Sequence, residues 1–264
     1  VLDLTTPGAI PIRLVDYFTG WTTAGFSTPV RLGSNLYFRA GTGSAAAIFV
    51  TDGTSTPTMV PGTQGTYPWS LGVSGSRLVF GGSPTSGVSA DIELFSWDSA
   101  DPSTPASLVA NINTYNTGGE KGSYPVSFVT RCNEVYFTAS SGFAGTIDNR
   151  ELWKWDGFEV TQAKDFWTGS LSTNSGRPSS MHVSGNEIFM FANDGTNGTE
   201  PWVLRGGEAT MLQNFGSGAA SGVSGSPPIL TRNGQTYLSL WGPTGVELYA
   251  YGVQPVGHQV ATYT

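Results

Sequence analysis

Two short patterns return five times along the 264 residues, and a repeat of that length constrains the fold more than any single motif. The first is an apolar and aromatic run: Leu36-Tyr37-Phe38, Leu78-Val79-Phe80, Val135-Tyr136-Phe137, Ile188-Phe189-Met190 and Tyr237-Leu238-Ser239. The second follows it: Ala47-Ile48-Phe49, Glu93-Leu94-Phe95, Glu151-Leu152-Trp153, Glu200-Pro201-Trp202 and Glu247-Leu248-Tyr249. The aromatic residues closing the second pattern stand 46, 58, 49 and 47 residues apart.

Each repeat reads as four short strands. A strand led by Pro29, Trp69, Pro125, Pro178 or Pro227 comes first, then a tight turn of Gly, Asn or Ser, then the two patterned strands. Runs such as Leu108-Val109, Met211-Leu212 and Gln259-Val260 supply the fourth. These segments are β-branched and aromatic, and no stretch keeps a 3.6-residue apolar period with caps. The chain is therefore expected to be all-β with negligible helix: a β-propeller of about five four-stranded blades, with a partial sixth as a variant. The expected blades are 27–61, 68–112, 124–166, 177–215 and 226–264 of a single domain spanning 1–264. Residues 1–18 read as an extra N-terminal hairpin that adds to a blade edge, starts a sixth blade or pairs with another subunit. In an alternative phase the two chain ends close one blade together.

The runs Glu151-Leu152-Trp153-Lys154-Trp155-Asp156-Gly157 and Asn193-Asp194-Gly195-Thr196-Asn197-Gly198-Thr199-Glu200-Pro201-Trp202 resemble the ELWxxDGT repeats of extracellular and surface proteins. The resemblance covers most of the chain in degenerate copies: Ala47 stands where the Glu is expected, and Arg205 and Gly252 where the Asp is. It implies a propeller-like repeat domain and little about activity.

Charged residues make up only 12% of the chain and the net charge is −7, which argues against nucleic acid as a partner. No apolar run is long enough to insert in a membrane as a helix. A first residue other than Met, few lysines and one Asn-Gly-Thr sequon at Asn197 fit a secreted or cell-surface protein. The single Cys132 excludes an intramolecular disulfide and is expected as a small buried residue beside Val135-Tyr136-Phe137, with an intermolecular bridge as the alternative.

A glycosidase-like five-bladed enzyme would need carboxylates on the innermost strands, and the Pro- or Trp-led strands assigned there carry none. The repeated Glu93, Glu151, Glu200 and Glu247 read as architectural. Two histidines, His182 and His258, are too few for a His-rich zinc site, and His182 is expected to be a hydrogen-bonded structural residue. Asp194, Asn197 and Glu200 offer oxygens on a tight loop and form a weak calcium candidate; no other cofactor is implied. Trp21, Tyr67, Trp69, Tyr115, Tyr124 and Trp167 lie on connections expected to emerge on one face, where sugar rings could stack on them. The expected function is a non-catalytic extracellular binding or scaffold module, such as one subunit of a surface assembly, with glycans or another protein subunit as partner. A carbohydrate-binding lectin is the first alternative and a glycosidase-like enzyme the second.

Overall fold

The second and third strands of a repeat carry apolar residues at consecutive positions, not alternate ones, so both of their faces must be covered. In the computed structural model, which describes residues 27–86, 90–114, 122–144, 147–168 and 175–252, the strands Arg77–Gly82, Glu93–Asp98, Glu187–Asn193 and Thr199–Arg205 are buried at consecutive positions, whereas Gln235–Gly242 alternates. Five antiparallel sheets follow one another, each pairing its strands in chain order. The first contains β1 (Val30–Leu32), β2 (Asn35–Ala40), β3 (Ala47–Thr51) and β4 (Thr58–Met59). The second contains β5 (Trp69–Ser74), β6 (Arg77–Gly82), β7 (Glu93–Asp98) and β8 (Ser107–Ala110). The third has β9 (Val126–Arg131), β10 (Glu134–Ala144), β11 (Ile147–Trp155) and β12 (Val160–Lys164). The fourth has β13 (Ser179–Ser184), β14 (Glu187–Asn193), β15 (Thr199–Arg205) and β16 (Glu208–Met211). The fifth shows three strands among the described residues, β17 (Leu230–Arg232), β18 (Gln235–Gly242) and β19 (Gly245–Tyr251). Helix is confined, among those residues, to one 3-10 turn at Gly43–Ala45. The expected N-terminal hairpin and the Gln259-Val260 strand lie outside the described residues.

The chain divides into two compact units. The first holds the sheets β1–β4 and β5–β8. Its core packs Leu32, Tyr37 and Ile48 of one sheet against Leu78, Phe80, Phe95 and Trp97 of the other. The second unit holds the remaining three sheets, and its cores show how one strand serves two neighbours. Ile188 and Met190 of β14 pack with Leu152 and Phe166, while Phe189 and Phe191 of the same strand pack with Leu238 and Leu240. Each such fully buried side chain contributes about 1.5–3 kcal/mol relative to exposure.

Hairpin turns are set by residues that tolerate positive φ. Cys132-Asn133 (51° and 67°), Gly206-Gly207 (58° and 89°) and Asn233-Gly234 (51° and 75°) are two-residue turns with both centres left-handed, the handedness that matches strand twist. This corrects the expectation for Cys132. It is exposed at the tip between β9 and β10, and its Sγ donates to Asn186 Oδ1 at 2.9 Å. The burial of Val135-Tyr136-Phe137 does not extend to the turn itself, where Cys132 and Asn133 are exposed.

The entry to the first strand is strained in the same way three times. Tyr67, Tyr124 and Arg177 each precede a proline, which ordinarily forces extended backbone, yet their φ values are 50°, 48° and 44°. Three residues on, Ser70, Ser127 and Ser180 are also left-handed. Register shifts between Trp69 and Leu71 and between Ser179 and His182 mark bulges at two of these entries.

Candidate functional site

Acidic residues in the core are the natural place to look for acid–base chemistry, and three repeated glutamates are fully buried: Glu93, Glu151 and Glu200. Each stands opposite a small residue on the preceding strand, Gly82, Ala139 and Ala192 respectively, which leaves room for a carboxylate to turn toward the connection that follows its sheet. Glu93 accepts from Ser123 N at 3.0 Å and Ser123 Oγ at 2.6 Å. Glu151 accepts from Phe166 N at 2.8 Å and Gly176 N at 2.6 Å. Glu200 accepts from Phe215 N at 2.9 Å and Gly216 N at 3.0 Å.

Close approach of the connections depends on glycine. A Cβ at Gly176 would lie 2.5 Å from Glu151 Oε2 and from Phe166 Cβ, and one at Gly222 would collide with the Glu200 carboxylate. Burial pushes the Glu151 carboxyl up to about 7 against the opposing pull of its backbone donors. A carboxyl poised near neutrality is a common catalytic signature, but here its oxygens are taken by main-chain N–H groups. Three of the four repeated carboxylates hold loops.

Glu247 belongs to the same series and behaves differently. It stands opposite Leu240, is half-buried, and accepts from Thr244 N and Oγ1 and from Tyr249 OH within its own hairpin. In the first sheet the position is Ala47, paired with Ala40. There Thr63, fully buried in the following loop, accepts the Ile48 N–H at 3.0 Å and donates to Val60 O at 2.8 Å.

The calcium candidates are engaged by donors. Asp194 Oδ1 accepts from the N–H groups of Thr196 and Asn197, and its Oδ2 from Asn197 Nδ2. Although partial burial opposes it, these donors hold the Asp194 carboxyl below the usual carboxylate range. Asn197 Oδ1 accepts from Asn214 Nδ2, and Glu200 faces Phe215 and Gly216. The same Asp-led turn recurs at Asp52 and Asp156, where Oδ1 again accepts the N–H groups two and three residues on. Among the described residues no three His, Cys, Asp or Glu side chains cluster as metal ligands would. His182 shares a 2.9 Å hydrogen bond with Thr231 Oγ1, and burial lowers its pKa.

Of the aromatic candidates, Trp21 and Tyr115 lie outside the described residues. Trp69 is 54% exposed. Tyr67 and Tyr124 are half-buried at the strained pre-proline positions. Trp167, also half-buried, packs its indole onto Gly195 so closely that a Cβ there would clash with the ring. It is a packing residue of the Asp194 turn.

No protein-family model matches the chain, and no curated protein is similar to it in sequence. Solved structures are similar to it in fold. A Mycobacterium tuberculosis puromycin-hydrolyzing peptidase is 13% identical, with 89% of this chain and 38% of that one covered at a TM-score of 0.55. A prolyl endopeptidase is 12% identical over 87% of this chain and 34% of its own, at 0.54. A gluconolactonase from Xanthomonas campestris is 14% identical over 88% and 77%, at 0.51. The fold is a β-propeller. The chain spans little more than a third of the length of these two peptidases.

These comparisons correct two expectations, the non-catalytic scaffold or lectin and its corollary that the protein is not an enzyme. The three structures just named, which share the fold over 87–89% of the chain, are those of hydrolytic enzymes. The physical reason for the misreading is that a repeat reports blades. Absence of acids from one strand position describes the scaffold, while chemistry is grafted on a fold from wherever the site happens to lie.

Proposed function

We propose that this chain is the propeller portion of a hydrolytic enzyme acting on peptide bonds, and that the groups carrying the reaction lie outside the described residues. The observation that carries the reading is the assignment of Glu93, Glu151 and Glu200 to loop anchoring. The chemically most suggestive carboxylates inside the sheets are thereby committed to structure. The likeness to two peptidases over nearly all of this chain but little more than a third of theirs fits a propeller that accompanies a separate catalytic part.

The gluconolactonase likeness, which covers 77% of that protein, favours a second reading in which a chain of this size suffices for lactone hydrolysis. One experiment separates them. The protein isolated in its natural form, with whatever chain or partner accompanies it, is assayed against peptidyl p-nitroanilides and glucono-δ-lactone. Release of nitroaniline without lactone turnover is the expected result. Lactone hydrolysis by the 264-residue chain alone would replace the first reading with the second, and no hydrolysis of either substrate would overturn both.

A further inference from the structure

In three sheets the strand after the first hairpin turn carries a tyrosine as its third residue: Tyr37 of β2, Tyr136 of β10 and Tyr237 of β18. Residues two apart on a strand share a face, so the first residue of each strand stands beside its tyrosine. Glu134 and Gln235 use that position: Tyr136 OH donates to Glu134 Oε2 at 2.7 Å, and Tyr237 OH to Gln235 Oε1 at 2.8 Å. The Tyr136 oxygen also accepts from Nη2 of Arg131, the last residue of β9, at 2.8 Å. In the first sheet both partners are changed. Asn35 is one methylene shorter than Glu134 or Gln235, and Leu32 ends β1 where Arg131 ends β9. The Tyr37 hydroxyl accordingly meets no hydrogen-bond partner among the described residues, and neither does the Asn35 carboxamide.

Between the two sheets of the first unit lies a cleft of 720 Å³, within the range that holds small-molecule ligands, and Tyr37 and Asn35 both line it. Tyr37 is 3% exposed, and its oxygen, unlike the sealed indole nitrogen of Trp97, keeps part of that surface. Leu32, Met59, Val60 and Pro61 give the cleft an apolar wall, and no residue lining it is charged.

A phenol hydroxyl and a carboxamide each donate and accept, so the pair suits a ligand group that does both. A carboxylate, phosphate or ammonium group would be desolvated here with no opposite charge on the wall. A secondary amide presents one acceptor and one donor on neighbouring atoms without charge. We propose that this cleft binds a neutral molecule in which a secondary amide links apolar substituents, its carbonyl oxygen accepting from Tyr37 OH and its N–H donating to Asn35 Oδ1. Leu32 and Asn35, by removing the internal partners that the third sheet supplies, turn a structural tyrosine into a recognition group.

The test uses N-benzylacetamide and N-benzyl-N-methylacetamide, which share the ring and the carbonyl and differ in the N–H. Affinities are measured by calorimetry. The Asn35 side-chain amide resonance of the 15N-labelled protein, assigned by its loss in Asn35→Ala, reports whether a probe sits in this cleft. N-benzylacetamide is expected to shift it saturably and to bind about tenfold more tightly than the methylated probe, the ratio that one hydrogen bond confers. Asn35→Ala should abolish that difference, and Tyr37→Phe should weaken both probes about tenfold. The urea midpoint of Tyr37→Phe should match that of the unsubstituted protein, because the hydroxyl has no protein partner to lose, whereas Tyr136→Phe should lower it. Absence of a saturable shift, equal affinity of the two probes for the unsubstituted protein, or unchanged affinity in Tyr37→Phe overturns the proposal. The first two comparisons stand even if a variant does not fold. The readout is binding, so its failure leaves the hydrolase reading standing.

Discussion

The first sheet and the fourth solve one problem in opposite directions. In the fourth, a strand side chain, Glu200, reaches out and accepts the N–H groups of the following loop at Phe215 and Gly216. In the first, the strand offers only Ala47, and a loop side chain, Thr63, reaches in to accept the strand's own N–H at Ile48. Both arrangements tie a connection to the sheet it leaves. They differ in what is buried. A carboxylate brings two acceptors and a charge, and a threonine brings one acceptor, one donor and no charge. What the repeat preserves is therefore a satisfied junction, and the glutamate is one way to make it.

The most severe way to break the comparison is to remove the acceptor where it serves two buried main-chain donors. Glu151→Ala and Glu200→Ala should each cost about 3 kcal/mol or more, read as a lower urea midpoint at unchanged slope. A smaller cost follows from crowding the same junctions from the loop side. Gly176→Ala and Gly222→Ala are expected to lose about 2 kcal/mol each, because the new methyl meets the carboxylate that holds the loop.

The pH dependence sharpens the contrast, since only the glutamate junction can titrate. The Glu151 carboxyl sits at about 7 in the folded chain, above the ordinary value of 4.5, so the folded state binds this proton more tightly than the unfolded state. Its contribution to stability is complete below about pH 4.5 and is lost as the pH rises through about 7. Urea midpoints measured at pH 5 and pH 8 should differ less in Glu151→Gln than in the unsubstituted protein.

Thr63→Val leaves the buried Ile48 N–H without its acceptor and should cost about 1–2 kcal/mol, less than the loss of a glutamate that serves two donors. Glu247→Ala should leave the urea midpoint nearly unchanged, because that side chain accepts from its own hairpin at the surface. A cost at Glu247 as large as that at Glu200 would show that position in the repeat, not local burial, sets the energy.

How far the sequence spoke for the molecule can be followed residue by residue. The strands containing Leu78-Val79-Phe80 and Ile188-Phe189-Met190 were readable because an unbroken apolar run needs cover on both faces. The hairpin at Asn233-Gly234 was readable because those residues adopt left-handed backbone cheaply. The repetition of the glutamates pointed to a common role, which Glu93, Glu151 and Glu200 share and Glu247 does not. Their partners were not readable, because Gly176 lies 25 residues from Glu151 and Ser123 lies 30 from Glu93, with no local pattern linking them. Thr63 was missed for the same reason: a lone threonine in a Gly- and Pro-rich loop looks like any turn residue. Cys132 was misplaced because its apolar neighbours suggested burial, while the two-residue turn that contains it points outward.

The sequence by itself determined the all-β character, the order of the strands within the described sheets and the positions of their turns. These follow from side-chain shape, β-propensity and backbone freedom, all of which act over a few residues. Only the tertiary structure decided which loop each of the three buried glutamates holds and that a threonine takes over where the glutamate is replaced by Ala47. Those outcomes depend on segments distant in sequence meeting at hydrogen-bonding distance, where the balance between a satisfied and an unsatisfied polar group is settled.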